Sequence, residues 1–335
     1  APTGTFYWID YVAHEMGHQF GGRHTFNGTR GSCGDQRAAG SAYEPGSGIT
    51  IMGYAGICHD DPPGTGSDDL ATASPPDGAS IPMFSFKSIQ EITDYTNGQG
   101  CGATADTGNH PPSVIATPGP LPVPTNTPFF LSAGGIDSDP GQQLSYSWEE
   151  MDLGPAMTLG PDTGQNEPLF KPHLHNSSEE GRFCPPLADI AAGTTALGEY
   201  LPQFARTAHF RVVVRDNNVQ GGGTGTFDEI LQFVSVPGGF SVTGPGGGAY
   251  CGGTAVPITW NVANTNQPPI NCDRVLISLS TDGGLTFPTI LATNLPNNGS
   301  AAVTLPWVTT AQARVRVQGS TGPFFSMNPA DFWIN

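Results

Sequence analysis

Positive charge is what this 335-residue sequence has least of: 12 Lys and Arg stand against 29 Asp and Glu, for a formal net charge of −17. That balance repels nucleic acid and anionic lipid, so nucleic-acid binding is excluded. No apolar run approaches the roughly 18 residues of a membrane-spanning helix. None of the six cysteines forms a CxxC pair, which argues against a zinc ribbon and for a modest disulfide complement. Residues 1–10 have neither a basic start nor an apolar core, so a signal peptide is not expected within them. With few lysines and much Gly, Ser, Thr and Asn, an exported protein is expected, its export signal removed or outside this stretch.

Turn chemistry, by contrast, is abundant. The 46 glycines and 32 prolines are about a quarter of the chain, and the hydrophobic residues fall in short clusters between them. Such a sequence is too apolar for disorder and too interrupted for helices, so short strands joined by tight turns are expected. The acidity divides by position. Residues 1–108 carry 4 basic and 12 acidic side chains, residues 109–237 carry 5 and 14, and residues 238–335 carry 3 of each. A modular chain follows.

Along the chain, Trp8, Ile9, Val12, Ala13, Met16 and Phe20 recur at three- and four-residue steps, predicting an opening helix with one apolar stripe that Gly21 and Gly22 end. A Gly-rich irregular stretch runs from 27 to about 83. A second helix is expected over 86–97, where Ser88 and Glu91 have capping-box spacing and Ile89, Ile92 and Tyr95 line a face. The proline-rich, nearly uncharged run 110–128 reads as a linker entering a strand. Beyond it only strands are expected, most clearly 129–133, 144–149, 209–215 and 230–236, then, past the glycine cluster 238–253, 256–262, 274–280, 301–305 and 314–318. The spacing fits two successive β-sandwiches over 109–237 and 238–335. Cys33 with Cys58, and Cys251 with Cys272, are expected to pair locally, leaving Cys101 and Cys184 without an evident local partner.

The chemistry concentrates in residues 14–24, His-Glu-Met-Gly-His-Gln-Phe-Gly-Gly-Arg-His. His14 and His18, four apart on a helix, project from one face and can share a metal. Glu15 stands one step around, beside the metal, placed to take a proton from a water there. Gly21 lets the chain leave the helix in a conformation closed to other residues and return His24 as a third nitrogen ligand. Three neutral histidines leave one position open on a tetrahedral zinc, the arrangement of a hydrolytic rather than a structural site. A buried helix of merely satisfied histidines is the weaker explanation, because so many polar groups placed for packing would each need a partner.

These five positions, His14, Glu15, His18, Gly21 and His24, resemble the metzincin zinc-peptidase signature. Downstream, Thr50-Ile51-Met52-Gly53-Tyr54 looks like the Met-turn of that family, which implies that Met52 packs beneath the histidines without ligating the metal. Tyr54 matches the tyrosine that astacin-, serralysin- and pappalysin-like members place near the metal, implying a distant ligand or a hydrogen-bond donor to an oxyanion. The flanking residues 12–21 and Tyr43-Glu-Pro-Gly-Ser-Gly are similar to secreted bacterial reprolysin-like metalloproteases, in which β-sandwich modules often follow the peptidase. The resemblance is strong over residues 1–108, where it implies a partial α+β catalytic domain of zinc helix, Met-turn and C-terminal helix, and weaker over 109–335, where it extends only to two all-β, Ig- or FN3-like sandwich modules. It departs from the family in one respect. Only thirteen residues precede His14, so the upstream subdomain that pairs with extended substrate is expected to be missing, with reduced activity for this stretch alone.

Calcium is a second candidate cofactor. Asp60-Asp61 and Asp68-Asp69 could supply hard oxygen ligands, although a solvated acidic loop is the stronger explanation, and Asp137-Ser-Asp139 looks like the turn of cadherin- or PKD-like sandwiches, where calcium is again a candidate. His173 and His175 read as a surface pair rather than a second metal site. Residues 280–287 resemble an Asp-box hairpin, a stable turn when single. Asn27, Asn176 and Asn298 open N-x-S/T triplets. The expected function is a secreted zinc endopeptidase acting on protein or peptide substrates, with accessory modules that attach to surface or matrix ligands. The alternative is an adhesion protein with a vestigial peptidase segment, against which the intact Glu15 argues.

Overall fold

The computed structural model describes residues 4, 6–60, 66–70, 80–99, 105–177 and 181–335. Over these the chain is mostly β structure with a few helices, none long and apolar enough to cross a membrane. The opening helix forms in two parts. A wide, π-type stretch over Phe6–Ala13 runs directly into helix α1, His14–Gln19. Its expected apolar stripe is not buried. Trp8, Met16 and Phe20 stay 58%, 50% and 45% exposed, while His14 and Gly17 are the buried positions of α1.

Helix α2, Phe86–Gly98, is where the second helix was expected, but its cap is Ser85. The Ser85 hydroxyl accepts the backbone N–H of Ser88, so Ser88 is already inside the helix and no capping box forms with Glu91. The Glu91 carboxylate instead accepts from the Arg23 backbone N–H at 2.9 Å and the Ser41 hydroxyl at 2.5 Å, tying α2 to the turn that follows α1.

In the first β unit, four strands lie in the order Leu121–Pro124, Thr224–Val234, Arg206–Arg215, Ser145–Glu150. The pair Phe129–Leu131 and Arg182–Cys184 packs on their inner side, with the Phe129 ring 5.7 Å from Phe210 and 5.5 Å from Phe233. A short helix α3, Leu187–Ala192, interrupts a region that reads as strands alone. The run 110–128 is no spacer. It supplies the strands Ser113–Ile115 and Leu121–Pro124, the latter pairing in parallel with residues 231–234 and burying Val123. Pro122 and Pro124 are tolerated because this is an edge strand, one side of which needs no N–H donor.

The second β unit has two layers. Ser241–Gly244, Ala255–Asn261 and Ser300–Thr304 form one sheet, and a larger sheet is built around Arg274–Ser280, Thr289–Pro296 and Thr310–Gly319. Val256, Ile258 and Trp260 alternate inward against Val275, Ile277 and Leu279 in a shared core. The 280–287 turn joins two paired strands. Burial opposes ionisation of Asp282, but donors from Ser280, Thr286 and Leu285 outweigh it and hold the carboxyl at about 2. Both units contribute to one apolar core, and they meet where Phe129 bridges Phe324.

The first unit also carries the histidine-bearing segment. Strand Ser145–Glu150 is buried on both faces. Tyr146 and Trp148 enter the core, whereas Glu149 turns to α2 and accepts the Phe86 N–H at 2.9 Å. The Arg211 guanidinium lies 5.2 Å from the Phe86 ring centre. Cys33 and Cys58 form the expected disulfide. Cys251 and Cys272 do not pair: Cys251 is exposed, and the thiol of buried Cys272 donates to the Arg274 carbonyl at 3.1 Å. Cys184 is buried and unbonded. Cys101 lies outside the described residues.

Candidate metal centre

Helix α1 sets His14 and His18 one turn apart on one side. The chain leaves through Gly21, whose φ of +89° is left-handed, and a Cβ there would stand 2.8 Å from Cβ of Tyr95 in α2. Glu91 holds the Arg23 N–H just beyond. The segment therefore doubles back and delivers His24 beside the first two histidines.

Each imidazole gives its Nδ1 to a backbone carbonyl: His14 to Ile51 at 2.7 Å, His18 to Gly22 at 2.8 Å and His24 to Gln36 at 2.6 Å. A carbonyl accepts only from N–H, so Nδ1 carries the proton and Nε2 keeps its lone pair. One ring nitrogen from each histidine lies within 4.8 Å of the others, and Nε2 of His18 is 3.1 Å from Nε2 of His24. Lone pairs brought together without a donor repel, and a cation among them reverses the sign. The donor set therefore fits a metal, and three neutral imidazoles suit zinc. Burial pushes the pKa of His14 and of His24 down, against the pull of their carbonyl partners, so both stay neutral as ligation requires.

Met52 is fully buried and packs directly on α1, since a Cβ on Gly17 would lie 2.4 Å from Met52 Sδ. The Met52 carbonyl accepts the N–H of Thr25 at 3.2 Å, next to His24. Residues 51 and 52 thus tie the helix to the returning chain. Gly17→Ala is expected to cost about 1–3 kcal/mol by overpacking this contact, read as a lower urea midpoint of the metal-free protein. An unchanged midpoint would show that Met52 simply swings aside.

Glu44 was missed from the sequence. Buried, it accepts the N–H of Ile49 at 2.7 Å and of Thr50 at 3.0 Å, together with the Thr50 hydroxyl. Its backbone pairs with Thr25 and Asn27. It therefore fastens the 50–53 turn to the segment that carries His24. The available signal was an acidic residue in a Gly/Pro turn with no basic residue nearby in sequence.

The Tyr54 ring lies 4.5 Å from His24, 5.6 Å from His14 and 4.7 Å from Phe26. Burial, then the negative charge of Glu15, raises its phenol pKa, so it stands as a neutral O–H donor. Glu15 is exposed and opens on a cavity of about 500 Å³ shared with Asp10, Tyr11, His14, Asp35 and Tyr54, whose lining, among the described residues, includes no Lys or Arg. His14, Glu15, His18, His24 and Tyr54 thus come together at one place.

The acidic clusters are structural where they are described. Asp68 is buried, and its oxygens accept N–H groups of Thr29, Arg30 and Leu159. Asp69 accepts from Cys58 and His59, and Asp60 pairs with Arg30. Asp60, Asp68 and Asp69 are thus engaged with protein donors rather than merely solvated. Asp61 lies outside the described residues. Asp137 accepts the Asp139 N–H, and Asp139 pairs with His110. Among the described residues, three or more metal-ligating side chains gather only at His14, His18 and His24. His173 is not simply a surface partner of His175, since its Nε2 donates to buried Glu199 at 2.6 Å.

No curated protein matches the chain. Among solved structures, Drosophila N-cadherin EC1-3 is 15% identical, covering 69% of this chain and 68% of that one with a TM-score of 0.24. The Clostridium thermocellum CbhA fibronectin(III)-like modules are 9% identical, covering 67% and 92% with a TM-score of 0.22. At those scores neither likeness carries an argument about fold or function. Residues 2–73 match the model of metallo-peptidase family M12B, reprolysin-like, which supports a metallopeptidase segment at the part of the chain that holds the three histidines.

Proposed function

We propose that this chain is a zinc-dependent endopeptidase, and that the two β units are accessory to it. The observation that carries the reading is the set of three imidazoles, each with Nδ1 committed to a carbonyl and its other nitrogen turned toward a common point beside Glu15. His14, His18 and His24 hold the zinc. When bound, zinc supplies Lewis acidity to the scissile carbonyl and to the attacking water. Glu15 accepts the proton of that water and returns it to the leaving amine. The Tyr54 hydroxyl donates a hydrogen bond to the oxygen on which negative charge develops. Met52 and Gly21 act by placement, the first under α1 and the second in the turn after it. The disulfide Cys33–Cys58 fits an oxidising, extracellular setting, and the substrates are proteins or peptides.

The full chain is expected to bind one zinc and to cleave casein or gelatin. A chelator should stop cleavage, and added zinc should restore it. Bound zinc without cleavage would favour an adhesion protein with a vestigial peptidase segment. Failure to bind zinc at all would remove the basis of the proposal.

A further inference from the structure

We propose that Arg37 and Asn27 are positioning residues through which the first β unit aims the third histidine, so that the 154–157 loop completes the metal centre. The inference rests on the zinc reading above and extends it to a part of the chain with no ligand of its own.

The three histidines are not held alike. The carbonyl that orients His14 belongs to buried Ile51, and the one that orients His18 lies only four residues on, at Gly22. His24 depends on Gln36, an exposed residue of a loop whose only helical piece is the short turn Gly31–Cys33. That loop is fixed at one end by the Cys33–Cys58 disulfide. Its other end is fixed by Arg37, directly after Gln36. Arg37 Nε donates to Asn27 Oδ1 at 2.9 Å, and one of its terminal nitrogens donates to the Gly154 carbonyl at 2.8 Å. Asn27 completes the clamp. Buried, it donates from Nδ2 to the Pro155 carbonyl at 2.9 Å, and its own carbonyl accepts the Met157 N–H at 3.2 Å.

The anchoring loop is itself well held. Asp152 is paired with Arg206 and His209, and the Leu159 N–H donates to Asp68. A guanidinium and a carboxamide therefore reach adjacent carbonyls of the β unit and fix the position of the Gln36 carbonyl. That carbonyl in turn holds the His24 tautomer. Without the guanidinium, the Gly154 carbonyl and Asn27 Oδ1 lose a donor, the Gln36 carbonyl is free to drift, and His24 loses the partner that orients its ring.

The test uses the full chain as wild type, Arg37→Gln and Arg37→Lys. Zinc affinity is read by competition with a chelator, ligand geometry by the absorption bands of the cobalt(II)-loaded protein, and folding by the urea midpoint of the metal-free protein. Arg37→Gln is expected to weaken zinc binding by about 10–100-fold and to shift the cobalt bands. Arg37→Lys should fall between, because a single ammonium cannot serve both acceptors in the planar geometry of a guanidinium. A zinc dissociation constant within about twofold of wild type, with superimposable cobalt bands, overturns the inference even where the midpoint falls. Should Arg37→Gln not fold, Arg37→Lys decides by the same criteria. A wild-type chain that binds neither metal overturns the zinc reading as well, whereas normal wild-type binding with indifferent variants overturns this inference alone.

Discussion

Glu15→Gln is expected to leave zinc bound and to lower kcat/KM for peptide cleavage by about 10²–10⁴-fold, the usual contribution of a positioned general base. Three features of the site lead there. Glu15 is adjacent in sequence to His14 but outside the set of three converging nitrogens, so its loss removes no ligand. It is exposed and lines the cavity in front of the histidines, where an attacking water and a peptide must enter. Glutamine keeps the shape and the hydrogen-bonding reach but cannot take a proton, so the variant separates basicity from packing. The measurement is steady-state cleavage of a fluorogenic peptide beside metal analysis of the same sample. Undiminished cleavage would place the base elsewhere. Loss of zinc would mean that the carboxylate supports the metal centre rather than the reaction.

What could be read in the sequence, and what could not, follows from the range over which each feature is determined. His14, Glu15, His18 and His24 are legible because helical spacing and one glycine place them, and every partner needed to infer the geometry lies within eleven residues. Most strands are legible for the same reason, since alternation over five to seven residues is a local property. The run 110–128 was misread because proline content is local evidence, whereas the pairing of residues 121–124 with 231–234 is set more than a hundred residues away. The Ser88 cap failed similarly, since Ser85 had already taken the Ser88 N–H. Glu44, Gln36, Arg37 and Asn27 escaped because what they do depends on loops that approach one another only in the fold. Asn27 in particular reads in sequence as the start of an N-x-S/T triplet, yet it is buried against Pro155.

Glu149→Gln is expected to flatten the pH dependence of stability, gaining on the order of 3 kcal/mol over wild type at pH 8 while coming close to it near pH 4. Glu149 is fully buried between its strand and α2. Burial raises its pKa from 4.5 to about 7, although the Phe86 N–H, Arg215 and Ser147 all pull the other way. A carboxyl that is harder to ionise folded than unfolded stabilises the fold while it stays protonated. Stability is therefore lost as pH rises from about 4.5, where the unfolded chain ionises, to about 7, where the folded one does, and is level beyond. Glutamine is neutral throughout and still offers an oxygen to the Phe86 N–H, so the variant should lack this slope. Urea unfolding of both metal-free proteins at pH 4 and pH 8 is the measurement, and parallel pH dependences would remove Glu149 as the cause. The effect also bears on the metal centre. Phe86 begins α2, and the same helix supplies Glu91 to the Arg23 N–H and Tyr95 to the space beside Gly21. Ionisation of one buried glutamate in the β unit thus destabilises the fold on which the His24 turn is built, and a chain carrying Glu149→Gln should keep its zinc to higher urea concentration at pH 8 than the wild type does.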